Sequence, residues 1–321
     1  MITLSSVIIT RNEAPHVKKC LIALENEMKS CEILSDYETI VVDSNSSDET
    51  LDIVKEFEYI EVVSLVSEGY YSAAMGRKIG SELSEYDYIL FLDGDIELQK
   101  GWLDKALSIM LDYKAQGISG NLLDLLYNEK EEIIASRERY NIKKISKAPT
   151  LGGNIIIDRK LLLECGNYNP YLKHNEEADM YSRFLNYGTI LQIPYLMGKH
   201  HTDFVNMKDK IKSFFKLEVQ FGRALAFKNS IKNRSLLNFI WIYKDFFRTA
   251  SSFLLSIIFL YLGFFNLSLA IWGLILVNIV NFGIYLLKKI PIRFFTDHII
   301  LFKFLKGLFV KNRKFRYFYE Q

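Results

Sequence analysis

The sequence predicts an α/β domain, a mixed, mostly parallel sheet flanked by helices, followed by a hairpin of two membrane-spanning helices. Three observations carry this. Short β-rich runs alternate with helical patterns from the start of the chain to Asp93. The runs are continuously apolar, as in strands buried on both faces of a parallel sheet. Arg248 and Lys288 enclose 39 residues without one charged side chain.

The elements follow in a βαβαβαβ order: SSVIIT, PHVKKCLIALENEMKSC, YETIVVD, DETLDIVKEF, IEVVSLV, SAAMGRKIGSEL and YDYILFLD. In the first helix Val17, Leu21, Leu24 and Met28 recur at spacings of three or four and form one apolar stripe, with Pro15 at a first-turn position where its missing N–H costs nothing. Open sheets of this kind bind ligands at the carboxyl ends of their strands. Thr10 to Glu13, Asp43 to Asp48 and Asp93 to Asp95 therefore share one rim. A second half, residues 117–205, reads differently: a polar stretch (NEKEEIIASRERYNIKK), then LGGNIIID as a strand and RKLLLECG as a short helix. Residues 1–116 are read as the donor half and 117–205 as the acceptor half.

Residues 206–245 are expected to form amphipathic helices at a membrane surface, because basic residues between Met207 and Phe227 interleave with Ile211, Phe214, Phe215, Leu217 and Phe221. A span needs about 20 apolar residues, so residues 246–287 hold two, joined near Gly263 to Asn266. A run such as SSFLLSIIFLYLGFF is apolar on every face, unlike the stripe of a soluble helix. Lys244 and Arg248 before the pair, and Lys288, Lys289 and Arg293 after it, place both ends on the cytoplasmic side. Residues 288–321 mix basic and aromatic residues and read as an interfacial tail drawn to anionic lipid. The opening MITLSSVIITRNE has neither a basic leader nor a long apolar run, so the first domain is expected in the cytosol, at a multi-pass cytoplasmic-membrane protein. Cys20, Cys31 and Cys165 show no CxxC spacing and read as reduced core residues. With 40 Lys and Arg against 38 Asp and Glu there is no global case for nucleic acid as a partner.

YILFLDGDIEL ends a hydrophobic strand in two carboxylates, Asp93 and Asp95, around Gly94. Such an oxygen pair suits Mg²⁺ or Mn²⁺, which bind carboxylates and phosphate oxygens; by itself the same run also reads as a turn. There is no GxGxxG after the first strand and no GxxxxGK[ST], so the glycine-rich phosphate cradles of dinucleotide and P-loop enzymes are missing.

VIITRNEA, VVDSNSSDET, AAMGRKIG and LFLDGDIELQKGWL, in that order, resemble the family 2 glycosyltransferases over about Met1 to His201. The resemblance implies a GT-A nucleotide-sugar-binding domain and an inverting transfer from a nucleotide-diphosphate sugar, UDP-sugars favoured, to an acceptor hydroxyl. It assigns Asp43 to the nucleobase, with Thr10, Arg11 and Glu13 beside it, and Arg77 to the diphosphate; Lys78 stands where the family often has Asn. Asp93 and Asp95 match the DxD motif, with Asp95 the more direct ligand of a divalent metal. KHNEEADMYSRFLNYG is similar to the family's acidic segment at a helix start, which puts the catalytic base on Glu177 or Glu176 and leaves the choice open. Asp179 and Arg183, four apart on that helix, read as an ion pair. Gly152 and Gly153 of LGGNIIID would let backbone approach the sugar, and His200 or His201 would complete the metal shell. The acceptor is expected to be lipid-linked or a saccharide in surface polysaccharide or glycolipid synthesis. A polyprenyl-phosphate glycosyl synthase is the narrower variant. A sugar nucleotidyltransferase lacks its basic glycine-rich loop here, and a non-catalytic scaffold is expected to have lost the acids that this chain keeps.

Overall fold

The computed structural model describes residues 2–204, 218–288, 291–311 and 314–321. The chain divides into two compact units, one formed by Met1–Lys216 with Asn312–Gln321 and the other by Leu217–Lys311.

The first unit is built on one sheet. Strands β1 (Ile2–Thr10), β2 (Leu34–Asp43), β3 (Glu61–Ser67) and β4 (Tyr88–Asp93) pair in parallel in the order β3-β2-β1-β4. The parallel half is thus as the apolar runs predict. Helix α1 (Ala14–Ser30) buries Val17, Leu21, Leu24 and Met28 against one face together with Trp102, Leu103 and Leu107 of α4 (Trp102–Asp112). Ile8, Val41, Leu90 and Leu92 supply the sheet side of that core. Each such side chain stabilises the fold by about 1.5–3 kcal/mol relative to exposure. Helix α3 (Ala73–Leu83) covers the opposite face, where Gly76 packs directly on Ile9 and Val42. Cys20, Cys31 and Cys165 are buried and unpaired.

The sheet continues through β9 (Ile155–Asp158), β6 (Gly117–Tyr127), β10 (Ile190–Asp203) and the short β5 (Ile96–Leu98). The two-residue β8 (Ser146–Lys147) pairs with β10, and the short helices α2 (Thr50–Val54) and α5 (Arg159–Glu164) follow β2 and β9. This half carries the antiparallel part of the mixed sheet. β9 is antiparallel to both β4 and β6, and only the IIID of LGGNIIID is strand. The polar stretch NEKEEIIASRERYNIKK contains β7 (Ile133–Glu138), an exposed strand hydrogen-bonded to β6. β10 does not stop at Pro194 but runs on to Asp203 through a register irregularity at the proline, which has no N–H to give the ladder. Tyr317–Glu320, expected in an interfacial tail, form β11 on the free edge of β3.

Two registers bring the strand ends to one level. Thr10 lies opposite Asp43 and Ile9 opposite Asp93, so β1, β2 and β4 finish together. The loops beyond them are sewn together: Asn12 N donates to Ser46 Oγ (2.8 Å), and Ser47 N to Asn12 Oδ1 (2.8 Å).

The second unit is helical: Glu218–Lys232, Leu236–Ile242, Lys244–Leu262, Leu267–Leu287 and Pro291–Gly307. Lys244–Leu262 and Leu267–Leu287 are long and apolar enough to cross a membrane. They leave Leu260 and Trp272 at 59% and 70% exposure, which water would penalise. The turn falls at Gly263 to Asn266 as expected, with Asn266 Oδ1 accepting from Leu269 N (3.0 Å). Facing polar side chains stitch the pair: Thr249 to Tyr285 (2.8 Å), Ser252 to Asn281 (2.9 Å) and Ser256 to Asn278 (3.2 Å). At its base Asp245 pairs with both Arg248 and Lys288. Part of the expected amphipathic region, residues 206–217, lies outside the described residues. In Glu218–Lys232 the apolar residues are spread around the helix rather than gathered in a stripe. Phe227 instead packs against Phe239 and Phe304 within the helical unit.

Candidate active site

The strand ends of β1, β2 and β4, the start of α3 and the start of α6 (Glu176–Phe184) enclose a cavity of about 370 Å³. Thr10, Arg11, Glu13, Arg77, Asp93, Gly94, Asp95, Glu176 and Glu177 line it, so nine of the positions singled out in the sequence converge. Four do not line it: Asp43, Gly153, His200 and His201.

Arg77 is the centre of the arrangement. Its side chain is buried, with Nη2 2.7 Å from Asp93 Oδ1 and Nη1 3.7 Å from both Glu176 Oε1 and Glu177 Oε1. Burial works against its charge, but Asp93, Tyr168, Glu177 and Glu176 outweigh it and hold the guanidinium protonated. Nε and Nη1 are buried without a hydrogen-bond partner. Buried donors are rarely left unpaired, and these two are able to donate to a ligand oxygen. Gly153 sits against this guanidinium, in the space where a side chain would go. Its lack of Cβ thus makes room for Arg77.

Asp93 is fixed from its other side by Asn154, which accepts from Asp93 N (2.8 Å) and donates to Asp93 Oδ2 (3.0 Å). Asn154 was not singled out from the sequence, although it lies within LGGNIIID. Both oxygens of Asp93 are therefore engaged by protein. Asp95 differs: Oδ2 is 3.1 Å from His200 Nε2, while Oδ1 is buried and unpartnered. His200 Nδ1 lies 3.0 Å from Asp124 Oδ1 and 2.8 Å from Arg139 Nη2, and Arg139 and Arg137 are both anchored on the fully buried Asp124. Burial would raise the Asp124 carboxyl, but Arg137, Arg139 and His200 bring it below its usual range. The sequence signal for this support is an acid inside the apolar run NLLDLLY.

Adjacent strand residues point to opposite faces, and this separates the two histidines. His201 turns away from the cavity, with Nδ1 2.8 Å from the Tyr127 hydroxyl, Nε2 3.3 Å from Glu97 and its ring stacked on His16 at 4.8 Å. Burial and His16 lower its pKa. It is therefore the ring of His200, and not that of His201, that meets the Asp95 carboxylate.

Asp43 also departs from expectation. It is fully buried beneath the cavity, and its carboxylate accepts from Thr10 Oγ1 (2.9 Å), Ser46 N (2.8 Å) and Ser46 Oγ (2.5 Å). Its neighbour Ser44 reaches the wall instead, as does Tyr71, over whose ring the Arg11 guanidinium lies at 5.0 Å. Gly94 N donates to Ile9 O (3.0 Å), keeping the acid loop against β1. Glu13 is pushed up to about 8 by burial, then by Asp95 and Asp93.

The two glutamates differ in environment. Glu176 is 7% exposed and raised to about 8, first by burial and then by Glu177, with Arg77 opposing. The Glu177 side chain is 25% exposed and opens to the cavity. The expected ion pair is present: Arg183 Nη2 is 2.8 Å from Asp179 Oδ2, and Arg183 also donates to Cys165 O (2.6 Å) and Asn167 O (2.7 Å), fixing the base of α6.

Among the described residues no three His, Cys, Asp or Glu side chains form a ready-made metal cage. The donor set at Asp95 and His200 fits a divalent cation of the Mg²⁺ or Mn²⁺ kind. Such ions commonly take one or two protein ligands and complete their shell with substrate phosphate and water, and the orphaned Asp95 Oδ1 is a hard oxygen without another partner.

The sequence profile described as "Glycosyl transferase family 2" matches residues 5–173. "Glycosyltransferase AglE" of Haloferax volcanii is 30% identical over 120 residues, which are 37% of this chain and 38% of that protein, so the match spans well under half of the relative's length. Among solved structures, S. aureus TarS 1-349 in complex with UDP-GlcNAc aligns over 96% of this chain and 89% of that one, with a TM-score of 0.56 and 17% identity. TarS 1-349 in complex with UDP aligns over the same shares with a TM-score of 0.53. At that identity the likeness speaks for the GT-A-like α/β fold.

Proposed function

The chain belongs to glycosyl transferase family 2, and on that premise we propose that it moves a sugar from a nucleotide-diphosphate donor, a UDP-sugar by preference, to an acceptor hydroxyl with inversion at the anomeric carbon. The observation that carries this is the meeting of Arg77, Asp93, Asp95, Glu176 and Glu177 around one cavity. TarS, of like fold, is described in complex with UDP and UDP-GlcNAc, which supports the choice of uridine.

In this reading the unpaired Nε and Nη1 of Arg77 receive the diphosphate, and Asp93 and Asn154 hold the guanidinium in place. Arg11 and Tyr71 wall the nucleoside end. Asp43 acts from below, keeping Thr10 and Ser46 in position. Asp95 and His200 would hold a divalent cation, which would supply neutralising charge for the leaving diphosphate. Glu177, the more open carboxylate, accepts the proton of the acceptor hydroxyl. The acceptor oxygen then bonds to the anomeric carbon as the bond from that carbon to the diphosphate breaks, and UDP leaves with the electron pair. Glu176, whose carboxyl is raised by burial and by Glu177, is the more enclosed of the two and the less suited to be the base.

The apolar helices Lys244–Leu262 and Leu267–Leu287 support a membrane hairpin with the catalytic unit on the cytosolic side, and hence a lipid-linked acceptor in surface polysaccharide or glycolipid synthesis. The test is a thermal-shift titration of the detergent-purified chain with UDP, with and without Mn²⁺, because a ligand of the native state raises its melting temperature. A shift that needs Mn²⁺ and disappears in Asp95→Ala is expected. A folded chain that shifts with no nucleoside diphosphate under either condition refutes the assignment.

A further inference from the structure

Residues 314–321 come after the helical unit in sequence but fold with the catalytic one. β11 runs antiparallel along β3, with Tyr317 opposite Ser67 and Glu320 opposite Ser64, and Glu68 N donates to Arg316 O (3.1 Å). Just before the strand, Phe315 lies on Gly69, where a Cβ would come within 2.6 Å of its ring. The same ring meets Tyr70 at 4.7 Å and Tyr171, edge-on, at 5.4 Å. The Tyr70 hydroxyl donates to Tyr171 O, and Ser72 Oγ donates to Pro170 O (3.1 Å).

Phe315 thus fastens together two loops that have no secondary structure of their own, residues 68–72 and 170–175. The first loop carries Tyr71 and Ser72 into the cavity wall, and the second leads directly into Glu176 and Glu177. A loop without helical or sheet hydrogen bonds depends on side-chain contacts for its position, and a catalytic group displaced by about 1 Å can lose on the order of 100-fold in rate. Backbone pairing along β3 sets the register of the strap, and the ring supplies its grip, as when an added strand docks on a sheet edge.

We infer that Phe315 is a positioning residue for the transfer site, holding the donor wall at Tyr71 and Ser72 in fixed relation to the base-bearing start of α6 from a segment beyond the apolar helices. The inference rests on the transferase reading for its consequence but not for its geometry. Phe315 does not line the cavity and acts through Gly69, Tyr70 and Tyr171.

The experiment compares the full chain in detergent with Phe315→Ala, Phe315→Tyr and Gly69→Ala, using two readouts. Hydrogen exchange reports the backbone of 68–72 and 170–175, and titration with UDP and Mn²⁺ reports the site. In Phe315→Ala both loops should exchange faster while β1, β4 and α1 keep their protection, and the Kd for UDP should rise about three- to tenfold, as expected from losing two aromatic contacts. Phe315→Tyr should restore both, and Gly69→Ala, which pushes the ring off from the other side, should repeat the defect. Unchanged exchange in both loops overturns the strap. Faster exchange with unaltered UDP affinity overturns the positioning role. Absence of UDP binding by the unsubstituted chain counts against the transferase reading, and the exchange data then still decide whether the strap exists.

Discussion

Replacing Glu176 with glutamine should make the folded chain less sensitive to alkali. The Glu176 carboxyl titrates at about 8 instead of 4.5, because burial penalises its charge and Glu177 lies beside it, with Arg77 only partly offsetting both. An unfolded chain releases this proton near 4.5, whereas the folded one keeps it until about 8. In that window the native state binds more protons, so its stability falls as pH rises. Below 4.5 the group is neutral in both states and contributes no difference; above about 8 the full deficit is present. At about 1.4 kcal/mol per pH unit the ceiling is about 5 kcal/mol. Relaxation and water entry at the cavity wall reduce this to about 2–4 kcal/mol by the same relation. Glutamine fills the same volume and cannot ionise, so Glu176→Gln should match the unsubstituted chain at pH 4.5 and exceed it by that amount at pH 9. For a unit of roughly 200 residues this is about 5–10 °C in Tm. Melts followed by circular dichroism in one detergent at pH 4.5, 7 and 9 measure it. A Tm difference that stays constant from pH 4.5 to 9 refutes the reasoning.

Further outcomes are expected from the same geometry. Gly153→Ala places a methyl group where the Arg77 guanidinium lies, so UDP affinity should fall about 10–100-fold, the worth of a displaced charged hydrogen bond; calorimetric titration reads it. His200→Ala should weaken the Mn²⁺ dependence of UDP binding by about 10–100-fold, the range for altered metal surroundings, while His201→Phe leaves it in place; equal effects from the two would contradict their opposite orientations. Asp124→Asn removes the charge that holds Arg137 and Arg139. It should lower Mn²⁺ affinity in the direction of His200→Ala without touching the cavity wall.

The parallel half of the fold was legible because strands buried on both faces leave unbroken apolar runs, and because acids at three strand ends mark one rim. What escaped has physical reasons. β7 is exposed along its whole length, so IIASRE carries no alternation to betray it. β11 is an edge strand whose KFRYFYE run has the same basic and aromatic mixture as an interfacial segment, and only long-range pairing with β3 distinguishes them. The order of Glu176 and Glu177 and the choice between His200 and His201 turn on which way adjacent side chains face. That depends on a helix start and on the irregular register of β10 near Pro194, neither of which is written in residue type. Asn154 was hidden because the two glycines before it drew the interpretation toward backbone approach, whereas the space beside Gly153 is filled by Arg77.

The central claim, that the cavity around Arg77 is a sugar-transfer site with Glu177 as its base, is tested most directly by comparing Glu177→Gln with the unsubstituted chain for two properties in one preparation. These are UDP affinity in the presence of Mn²⁺ and release of UDP from UDP-sugars supplied with membrane-lipid extract as acceptor. The account predicts UDP affinity within about threefold and UDP release reduced on the order of 100- to 10,000-fold, the contribution of a general base. Undiminished release by Glu177→Gln would contradict it.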